Sequence, residues 1–235
     1  MEFHFQSIGI IHSCFKEKFG IPRQPGLVPE AKATLELLPP YNRPEALVEL
    51  GGFSHLWVIF VFHRARREQW RPTVRPPRLG GNQRIGVFAS RAPFRPNPIG
   101  LSLVSLEGID TAADKCLLHL GGVDLLDGTP VLDIKPYLPY AEAIPDARAG
   151  YAMEAPDAAV TVTLSPEAEA QIAAAEGKHP GLAQLIRQLI AADPRPAYHE
   201  GQTRSRYGMR LWEYDVRWEV VGESACVVIA LESVV

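Results

Sequence analysis

Residues 85–100, IGVFASRAPFRPNPIG, combine side chains that could bind an anion with a stiff backbone. Arg91, Arg95 and Asn97 stand among three prolines, and each proline fixes its own φ and restricts the residue before it. Apolar, strand-like runs flank the segment on both sides. A stiff loop between two strands holds polar groups in fixed places, so we interpret this stretch as part of a functional site.

The arginines of the chain are concentrated around this stretch. The chain of 235 residues has a formal net charge of −3, yet residues 64–95 contain nine arginines, no lysine and one acidic residue, Glu68. Arginine, unlike lysine, pairs with phosphates and carboxylates through two parallel hydrogen bonds. A solvated basic face would explain the charge without a ligand, but the all-arginine composition favours a surface that binds a polyanion.

Three other predicted loops carry polar side chains. They are Pro22-Arg23-Gln24, His63-Arg64 at the end of an apolar strand, and the segment DLLDGT that contains Asp124 and Asp127. The two carboxylates could accept hydrogen bonds from hydroxyl or ammonium groups of a ligand. Asp127-Gly128 is also a common turn that needs no ligand, and a histidine that ends a core strand is often structural.

Several common site signatures are absent from the sequence. There is no glycine-rich phosphate loop, no GxSxG nucleophile motif and no HExxH zinc motif. Cys14, Cys116 and Cys226 are far apart, so we predict no metal site. Cys116 and Cys226 lie in apolar runs typical of core thiols, whereas Cys14 lies in a predicted loop where it could be exposed. This cysteine content is typical of a reducing cytoplasm.

The elements that position these loops are mostly short strands. Periodicity predicts strands over residues 3–12, 32–38, 55–63, 85–90, 99–107, 115–121 and 131–134, and one short helix over 44–50 with Asn42 as its cap. Many short strands with little helix between them indicate a barrel or sandwich. No apolar run reaches the roughly 18 residues that span a bilayer and no signal peptide is evident, so we expect a soluble protein with no membrane partner.

A change in composition predicts a second module. Residues 139–156 are rich in alanine and proline, which is typical of a linker, and we place domains at 1–145 and 156–235. The second domain is predicted to contain a strand over 160–164, helices over 166–176 and 180–192, and paired strands over 209–221 and 225–231. Ser165 is a candidate N-cap, with Pro166 at the first helical position. This is a small α+β domain.

Six segments resemble the TrmO family, formerly called the YaeB/VirR-like proteins. They are PRQPG, FSHLWVIFVFH, WRPTVRPPRLGGN, GVFASRAPFRPNPIG, LDGTPVLDIKPYLPY and DPRPAY. The resemblance covers nearly the whole chain. It implies an S-adenosyl-L-methionine-dependent tRNA methyltransferase that acts on N6 of threonylcarbamoyladenosine, the modified purine just 3′ of the anticodon. It also implies a mainly β fold in which an N-terminal β-barrel, not a Rossmann sheet, binds the cofactor, and a cytoplasmic homodimer with the cofactor near the subunit interface.

The same resemblance assigns cofactor contacts to eleven positions. They are Pro22, Arg23, Gln24, His63, Arg64, Arg91, Leu101, Asp124, Leu125, Leu126 and Asp127. Several of them fall in loops already singled out by their polar residues. Leu101 is different, because its strand pattern alone predicts a core residue.

Methylation of this nitrogen requires a proton acceptor. The nitrogen belongs to a ureido group, so its lone pair is delocalised and must be held in line with the methyl group while its proton is removed. The sulfonium of the cofactor already activates the methyl, so the protein mainly positions the reactants. Asp127, His63 and His199 are the candidate acceptors.

The RNA should be held by arginines and by proline-stiffened loops. The predicted substrate-binding residues are Arg71, Arg75, Arg78, Arg95, Asn97, Arg195 and Tyr198. Most would contact phosphates of the anticodon stem-loop. Arg95 and Asn97 could instead hold the carbamoyl group or the carboxylate of the modified base. Trp70, Tyr198 and Trp212 are either stacking platforms for unpaired bases or core residues.

Two other functions remain open from the sequence. The first is an RNA-binding barrel without catalysis, which the intact set of loop residues disfavours. The second is a methyltransferase that acts on a small molecule, in which case the arginine run would not affect turnover.

Overall fold

The protein is a six-stranded antiparallel β-barrel followed by a helix-covered four-stranded sheet. The computed structural model describes residues 1–65, 69–112, 114–154, 160–195, 206–222 and 224–234. The barrel strands are β1 (Gly9–Ser13), β2 (Ala33–Leu37), β3 (His55–Val61), β6 (Ile99–Ala112), β7 (Lys115–Gly121) and β8 (Pro130–Pro136). They close in the order β1-β2-β7-β6-β3-β8, so of the barrel and the sandwich that the strand pattern indicates, the structure is the barrel, which the family resemblance also implies.

Strand alternation fills the barrel interior. In β3 the inward residues Leu56, Val58 and Phe60 are buried, while the residues between them are half-buried. In β7, Cys116, Leu118 and Leu120 are all fully buried. Side chains of a strand alternate between the two faces, so each strand gives one face to the core.

A small two-stranded ribbon lies outside the barrel, between β3 and β6 along the chain. Its strands are β4 (Thr73–Val74) and β5 (Ile85–Gly86), which are antiparallel. Short 3-10 turns at Pro77–Leu79 and Val87–Ala89 follow its two strands. The strand predicted over 85–90 is therefore wrong beyond Gly86, because Ser90 N donates back to Val87 O and closes a turn.

The C-terminal module is an α+β sheet, as predicted. After the short helix α1 (Pro139–Glu142), it contains β9 (Thr161–Leu164), α2 (Pro166–Glu176), α3 (Leu182–Ala191), β10 (Arg206–Leu211), β11 (Tyr214–Val220) and β12 (Ala225–Ser233). The sheet order is β10-β11-β12-β9, and β9 pairs parallel to β12. Ser165 Oγ accepts a hydrogen bond from Ala168 N, which confirms the predicted N-cap.

Several predicted elements have different boundaries in the structure, and β6, predicted over 99–107, extends to Ala112. The first strand begins at Gly9, opposite Leu37, and β2 ends there before Pro39 and Pro40. Ile8 N still donates to Val131 O of β8, but residues 3–7 have no partner strand among the described residues. The helix predicted over 44–50 is two 3-10 turns, Pro44–Leu47 and Leu50–Gly52, separated where Glu49 adopts a left-handed φ of 65°.

The predicted cap of that helix has another role. The Asn42 side-chain amide donates to Asp114 O at 2.6 Å, so it does not cap the turn. The strand predicted over 209–221 is in fact a hairpin, β10 and β11, because Trp212 has a φ of 48° and reverses the chain. A left-handed φ at a tryptophan leaves no signal in the apolar pattern.

The loop between β1 and β2 joins the two modules. Trp212 N donates to Cys14 O at 2.8 Å, and Phe15 pairs with Leu211 in an isolated antiparallel bridge. Phe19 stacks on Trp218 with ring centroids 5.9 Å apart. Cys14 is completely buried in this contact, which corrects the expectation of an exposed thiol, and burial raises its pKa to about 12.

Candidate functional site

The polar loops predicted from sequence meet at one end of the barrel around a cavity of about 550 Å³, called here the first cavity. It is lined by residues 18, 21–24, 60–65, 90, 91, 93, 95, 99–102, 124–126 and 129. The volume lies in the range of pockets that hold cofactors and drug-sized ligands.

Strand pairing brings these segments together. Because β3 and β6 are antiparallel, Val61 lies opposite Ile99, and Phe62 N donates to Pro98 O at 2.8 Å. The residues that follow β3 therefore face those that precede β6. A side chain at Gly100 would overlap the Phe60 ring, so the glycine makes room for Phe60 in the cavity wall.

Ten of the eleven predicted cofactor residues line the first cavity. They are Pro22, Arg23, Gln24, His63, Arg64, Arg91, Leu101, Asp124, Leu125 and Leu126. Leu101 is 52% exposed, so it is not the core residue that the strand pattern predicts. It points outward on β6, next to the fully buried Gly100 and Ser102 positions.

Asp124 is the partly buried carboxylate of the cavity. Ser102 Oγ donates to Asp124 Oδ1 at 2.6 Å. Burial raises the pKa of Asp124 to about 6, although the hydrogen bond from Ser102 and the positive charge of Arg91 act to lower it. No Lys, Arg or His of the described residues forms an ion pair with it within 4 Å. A carboxylate in this setting gains from a cationic or hydroxyl-bearing ligand.

Arg91 closes the cavity from the stiff loop. Its Nη1 donates to Gln24 Oε1 at 2.6 Å, so the loop before β6 is joined to the loop after β1. Arg91 is exposed, and its remaining donors are available to an anionic or carbonyl group in the cavity.

His63 is the second titratable group that lines the cavity and could take a proton. Burial, followed by the positive charge of Arg64, lowers the pKa of His63 below its ordinary value. Lys18 adds to this effect and donates from Nζ to Arg64 O at 2.6 Å. The imidazole is therefore neutral near pH 7, which is the form that accepts a proton.

Asp127, the remaining predicted cofactor residue, does not line the cavity. Its Oδ1 accepts from Ser13 N at 3.0 Å and its Oδ2 pairs with Lys16 at 2.6 Å. Gly128 N also donates to Ile11 O, so the whole turn is bonded to the end of β1. The structure therefore gives Asp127 a role in holding the turn, while Asp124, three residues earlier, lines the cavity.

Arg95 lies between the first cavity and a second one of about 440 Å³. Its guanidinium donates to Val87 O at 3.2 Å and to Ser90 O at 2.7 Å. Asn97, the other residue predicted to hold the modified base, lines only the second cavity.

The predicted phosphate-binding arginines lie on the exposed ribbon and its flanks. Arg71 lines the second cavity, and Arg71 and Arg75 make no hydrogen bond or ion pair with any other described residue. Arg78 instead donates to Glu154 O, in the segment that leads to the C-terminal module. Two further arginines of the run, at positions 66 and 67, lie outside the described residues.

Two predicted contacts fall in or near the C-terminal segment DPRPAY. Arg195 is bound through Nε and Nη2 to the Asp193 carboxylate, at 2.6 and 2.7 Å, so its guanidinium is already engaged within the protein. Tyr198, together with His199, lies outside the described residues. Trp212 is half-buried and stacks on His179 with ring centroids 4.0 Å apart, so it is a packed residue rather than an open platform.

Arg23 connects the first cavity with the C-terminal module. Its Nη2 donates to Asp193 O and to Arg195 O, both at 3.2 Å. A cavity residue of the barrel is thus held by backbone carbonyls of the second module. Sequence patterns contain no signal for this contact, since the partners are about 170 residues apart.

Sequence reasoning missed several residues that line the first cavity, and three of them are informative. Ser102 occupies an inward position of β6, and a hydroxyl between apolar inward neighbours was a usable signal. Lys18 and Phe60 line the first cavity as well. Phe60 lies in the apolar run of β3, where its sequence gives no indication that its ring reaches a cavity.

Comparisons with known proteins support one family. The model of the tRNA-methyltransferase O N-terminal domain matches residues 10–143, and that of the TrmO C-terminal domain matches residues 157–234. The chain is 52% identical over 231 residues to the tRNA (adenine(37)-N6)-methyltransferase of Escherichia coli (strain K12), covering 98% of each chain. It is 54% identical over 213 residues to a putative S-adenosylmethionine-dependent methyltransferase of Pseudomonas aeruginosa, covering 90% of each.

The fold is similar to a solved structure over its whole length. The crystal structure of TrmO from Pseudomonas aeruginosa superimposes with a TM-score of 0.83 and 44% sequence identity, covering 99% of both chains. The described residues contain no group of three metal-binding side chains and no helix long and apolar enough to cross a membrane.

Proposed function

Because the chain belongs to the tRNA-methyltransferase O family, we propose that it transfers a methyl group from S-adenosyl-L-methionine to N6 of an adenine in tRNA. In this proposal the substrate nucleoside is threonylcarbamoyladenosine, which lies just 3′ of the anticodon. The observation that carries the proposal is the first cavity. In it the partly buried carboxylate of Asp124, without an ion-pair partner among the described residues, lies near Arg91 on a proline-stiffened loop.

The residues of the first cavity fit this cofactor. Asp124 offers a negative charge to a ligand whose sulfonium and ammonium groups are positive, and Arg91 offers donors to its carboxylate. Leu101 and Leu126 provide apolar surface for the nucleoside. When bound, S-adenosyl-L-methionine supplies a methyl group already activated by the sulfonium. The contribution of this chain is to hold and orient the reactants.

We assign proton removal to His63. The acceptor nitrogen is a weak nucleophile, so its proton must leave as the new bond forms. Of the residues predicted as acceptors, His63 lines the cavity and carries a lowered pKa, whereas Asp127 is bonded to Ser13 and Lys16. Asp124 remains the counter-charge to the cofactor in this proposal.

In this proposal the first module binds the cofactor and both modules contact the tRNA. Residues 1–145 form the cofactor-binding domain and residues 156–235 contact the tRNA. The exposed arginines of the ribbon, among them Arg71 and Arg75, bind phosphates of the anticodon stem-loop. The contact of Arg23 with the carbonyls of Asp193 and Arg195 supports close coupling of the two modules.

We also propose that the protein is a cytoplasmic homodimer. An apolar ladder on the outer face of β3 and β6 supports the dimer, because Trp57 lies opposite Leu103 and Ile59 opposite Leu101. Leu101 belongs both to this face and to the first cavity, so a partner covering the face would lie beside the cofactor. The three cysteines are free thiols, which is typical of a reducing compartment.

Two measurements test the proposed function. Calorimetry of the purified dimer with S-adenosyl-L-methionine should show binding, and Asp124→Asn should weaken it. Mass spectrometry of tRNA nucleosides from a strain that lacks the gene should show loss of the N6-methylated threonylcarbamoyladenosine. Binding of cofactor without any methyl transfer would instead favour an RNA-binding barrel, and undiminished methylated nucleoside would contradict the proposal.

A further inference from the structure

The second cavity, of about 440 Å³, opens beside the first and has a different lining. Trp70, Arg71, Phe94 and Asn97 contribute to its wall, together with the prolines around Asn97. Arg95 and Ala65 line both cavities, so the two are neighbours across these residues. A group held in the second cavity therefore lies next to whatever occupies the first.

An exposed aromatic side chain, Trp70, lines this cavity, and a second exposed ring, Phe88, lies beside it. Trp70 is 50% exposed and Phe88 is 71% exposed. Their ring centroids are 6.4 Å apart and their planes are tilted by 32°. Exposing two neighbouring aromatic rings costs hydrophobic free energy, so such a pair marks a surface that binds a partner with an apolar face.

The backbone that carries these rings is held in place. Val87 N donates to Pro72 O at 2.9 Å, which joins the residue before Phe88 to the segment between Trp70 and β4. The Arg95 guanidinium lies 5.7 Å from the centre of the Phe88 ring and is bonded to the carbonyls of Val87 and Ser90. The aromatic pair is thus pre-organised rather than carried on a free loop.

This combination of groups suits an unpaired nucleobase. Bases of single-stranded RNA stack on aromatic side chains and hydrogen-bond through their edges. Trp70 supplies the stacking face, and the exposed Asn97 amide supplies both a donor and an acceptor for a base edge. Arg71, with no ion-pair partner among the described residues, supplies charge for the adjoining phosphate.

We propose that the second cavity holds the purine that accepts the methyl group, stacked on Trp70, with Phe88 packed behind the indole to fix its orientation. The inference rests on the proposed function, since only a methyl donor in the first cavity makes the neighbouring cavity the place of the acceptor. Flipping the purine out of the anticodon loop brings its N6 edge toward the boundary at Arg95 and Ala65.

This assignment is tested by measuring RNA affinity for two forms of the full-length protein and two RNAs, as in a double-mutant cycle, without cofactor. Wild type and Trp70→Ala are each titrated with two anticodon stem-loop RNAs, one intact and one abasic at the target position. The variant should bind the intact RNA roughly tenfold or more weakly, as expected for loss of one base–aromatic stack. Both proteins should bind the abasic RNA equally well.

Two variants control for folding and for unspecific loss of an aromatic. Trp70→Phe keeps a stacking ring and should retain most of the affinity, with an unchanged Tm. Tyr140→Ala removes a ring that is 89% exposed elsewhere and should bind both RNAs like wild type.

Two results would overturn the proposal. One is an equal loss on intact and abasic RNA, because Trp70 would then contact another part of the loop. The other is no loss on either RNA. Both are distinguishable from failure of the proposed function, which would appear as absent cofactor binding or methyl transfer by wild type, whatever the outcome of the cycle.

Discussion

The barrel end and the C-terminal module differ in whether their arginines form ion pairs. In the C-terminal module, Arg217 pairs with Asp215 at 2.8 Å, and Arg206 pairs with Glu219 across β10 and β11. On either side of β4, which belongs to the exposed ribbon, Arg71 and Arg75 have no partner among the described residues. Pairing within the module stabilises its own sheet, whereas unpaired arginines leave their donors for a ligand.

The carboxylates show the same contrast. Burial acts to raise the pKa of Glu213, but hydrogen bonds from Lys178 and His179 outweigh it and lower that pKa to about 2. The pKa of Asp124 is raised to about 6 by burial, which no cation offsets fully. Charges compensated within the chain are structural, and uncompensated charges at a cavity indicate a site.

The largest effect that follows from this contrast concerns the exposed arginines. Arg84 is a third exposed arginine whose side chain has no hydrogen bond or ion pair among the described residues. Replacing Arg71, Arg75 and Arg84 by Gln should lower tRNA affinity about 100-fold near physiological salt, because each lost phosphate contact also reduces counterion release. The slope of log affinity against log salt should become shallower by about 0.7 to 0.9 per contact. Filter binding at several salt concentrations measures both quantities.

The matched control removes three arginines that have partners within the C-terminal module. Arg187 donates to Val162 O, while Arg206 and Arg217 form ion pairs. The same glutamine substitutions there should lower the Tm by a few degrees and change tRNA affinity by less than about threefold. Equal loss of tRNA affinity in both triple variants would show that net charge alone, and not the location of the unpaired arginines, determines RNA binding.

A smaller effect is expected from Asp124. A cationic cofactor favours the carboxylate, so binding below pH 6 must first remove a proton, and wild-type affinity should fall about tenfold per pH unit there. Asp124→Asn should weaken binding by roughly tenfold at pH 7.5 and abolish this pH dependence. Calorimetry from pH 5 to pH 8 measures both, and an unchanged pH profile in the variant would assign the titration to another group.

The raised pKa of Asp124 also makes the stability of the protein depend on pH. Its folded pKa of about 6 lies above the unfolded value of 3.8, so the folded protein holds the proton more tightly. Stability without cofactor should therefore decrease as pH rises from about 4 to 6. Thermal melts of Asp124→Asn should lack this decrease.

The smallest effect is expected from Glu213 in the C-terminal module. Its pKa is depressed from 4.5 to about 2, so its stabilisation is present above pH 4.5 and lost as pH falls toward 2. Glu213→Gln should lower the Tm modestly at pH 7, and the difference from wild type should disappear near pH 2. Glu232→Gln, at an exposed and longer 3.4 Å ion pair, is the control and should change the Tm little.

Local signals predicted some elements closely. Helix α2 spans Pro166–Glu176 as expected, because Ser165 and Pro166 specify its start through short-range bonds. Strand β7 spans Lys115–Gly121, also as expected. The hairpin of β10 and β11 was not predicted, since its turn depends on the left-handed φ of Trp212, which packs on His179 from a different element.

The sequence predicted which loops form the candidate site, but not how their side chains are directed. Asp124 and Asp127 lie in one short turn and have the same side chain, yet only Asp124 lines the first cavity. The direction of each side chain depends on how the turn bonds to Ser13 and Lys16, more than 100 residues away. The spacing of the two residues along the chain therefore cannot predict which of them lines the first cavity.

The strand-rich class, the stiff arginine loop and its polar neighbours could be predicted from the order of residues alone, because prolines, periodicity and residue type act locally. Which charges are compensated is set by the folded arrangement of the chain. It pairs Lys178 with Glu213, bonds Asp127 to β1 and leaves Asp124 in a cavity next to Arg91. Compensation depends on distances between segments far apart in the chain, and these exist only once the barrel closes and the second module packs on its loop.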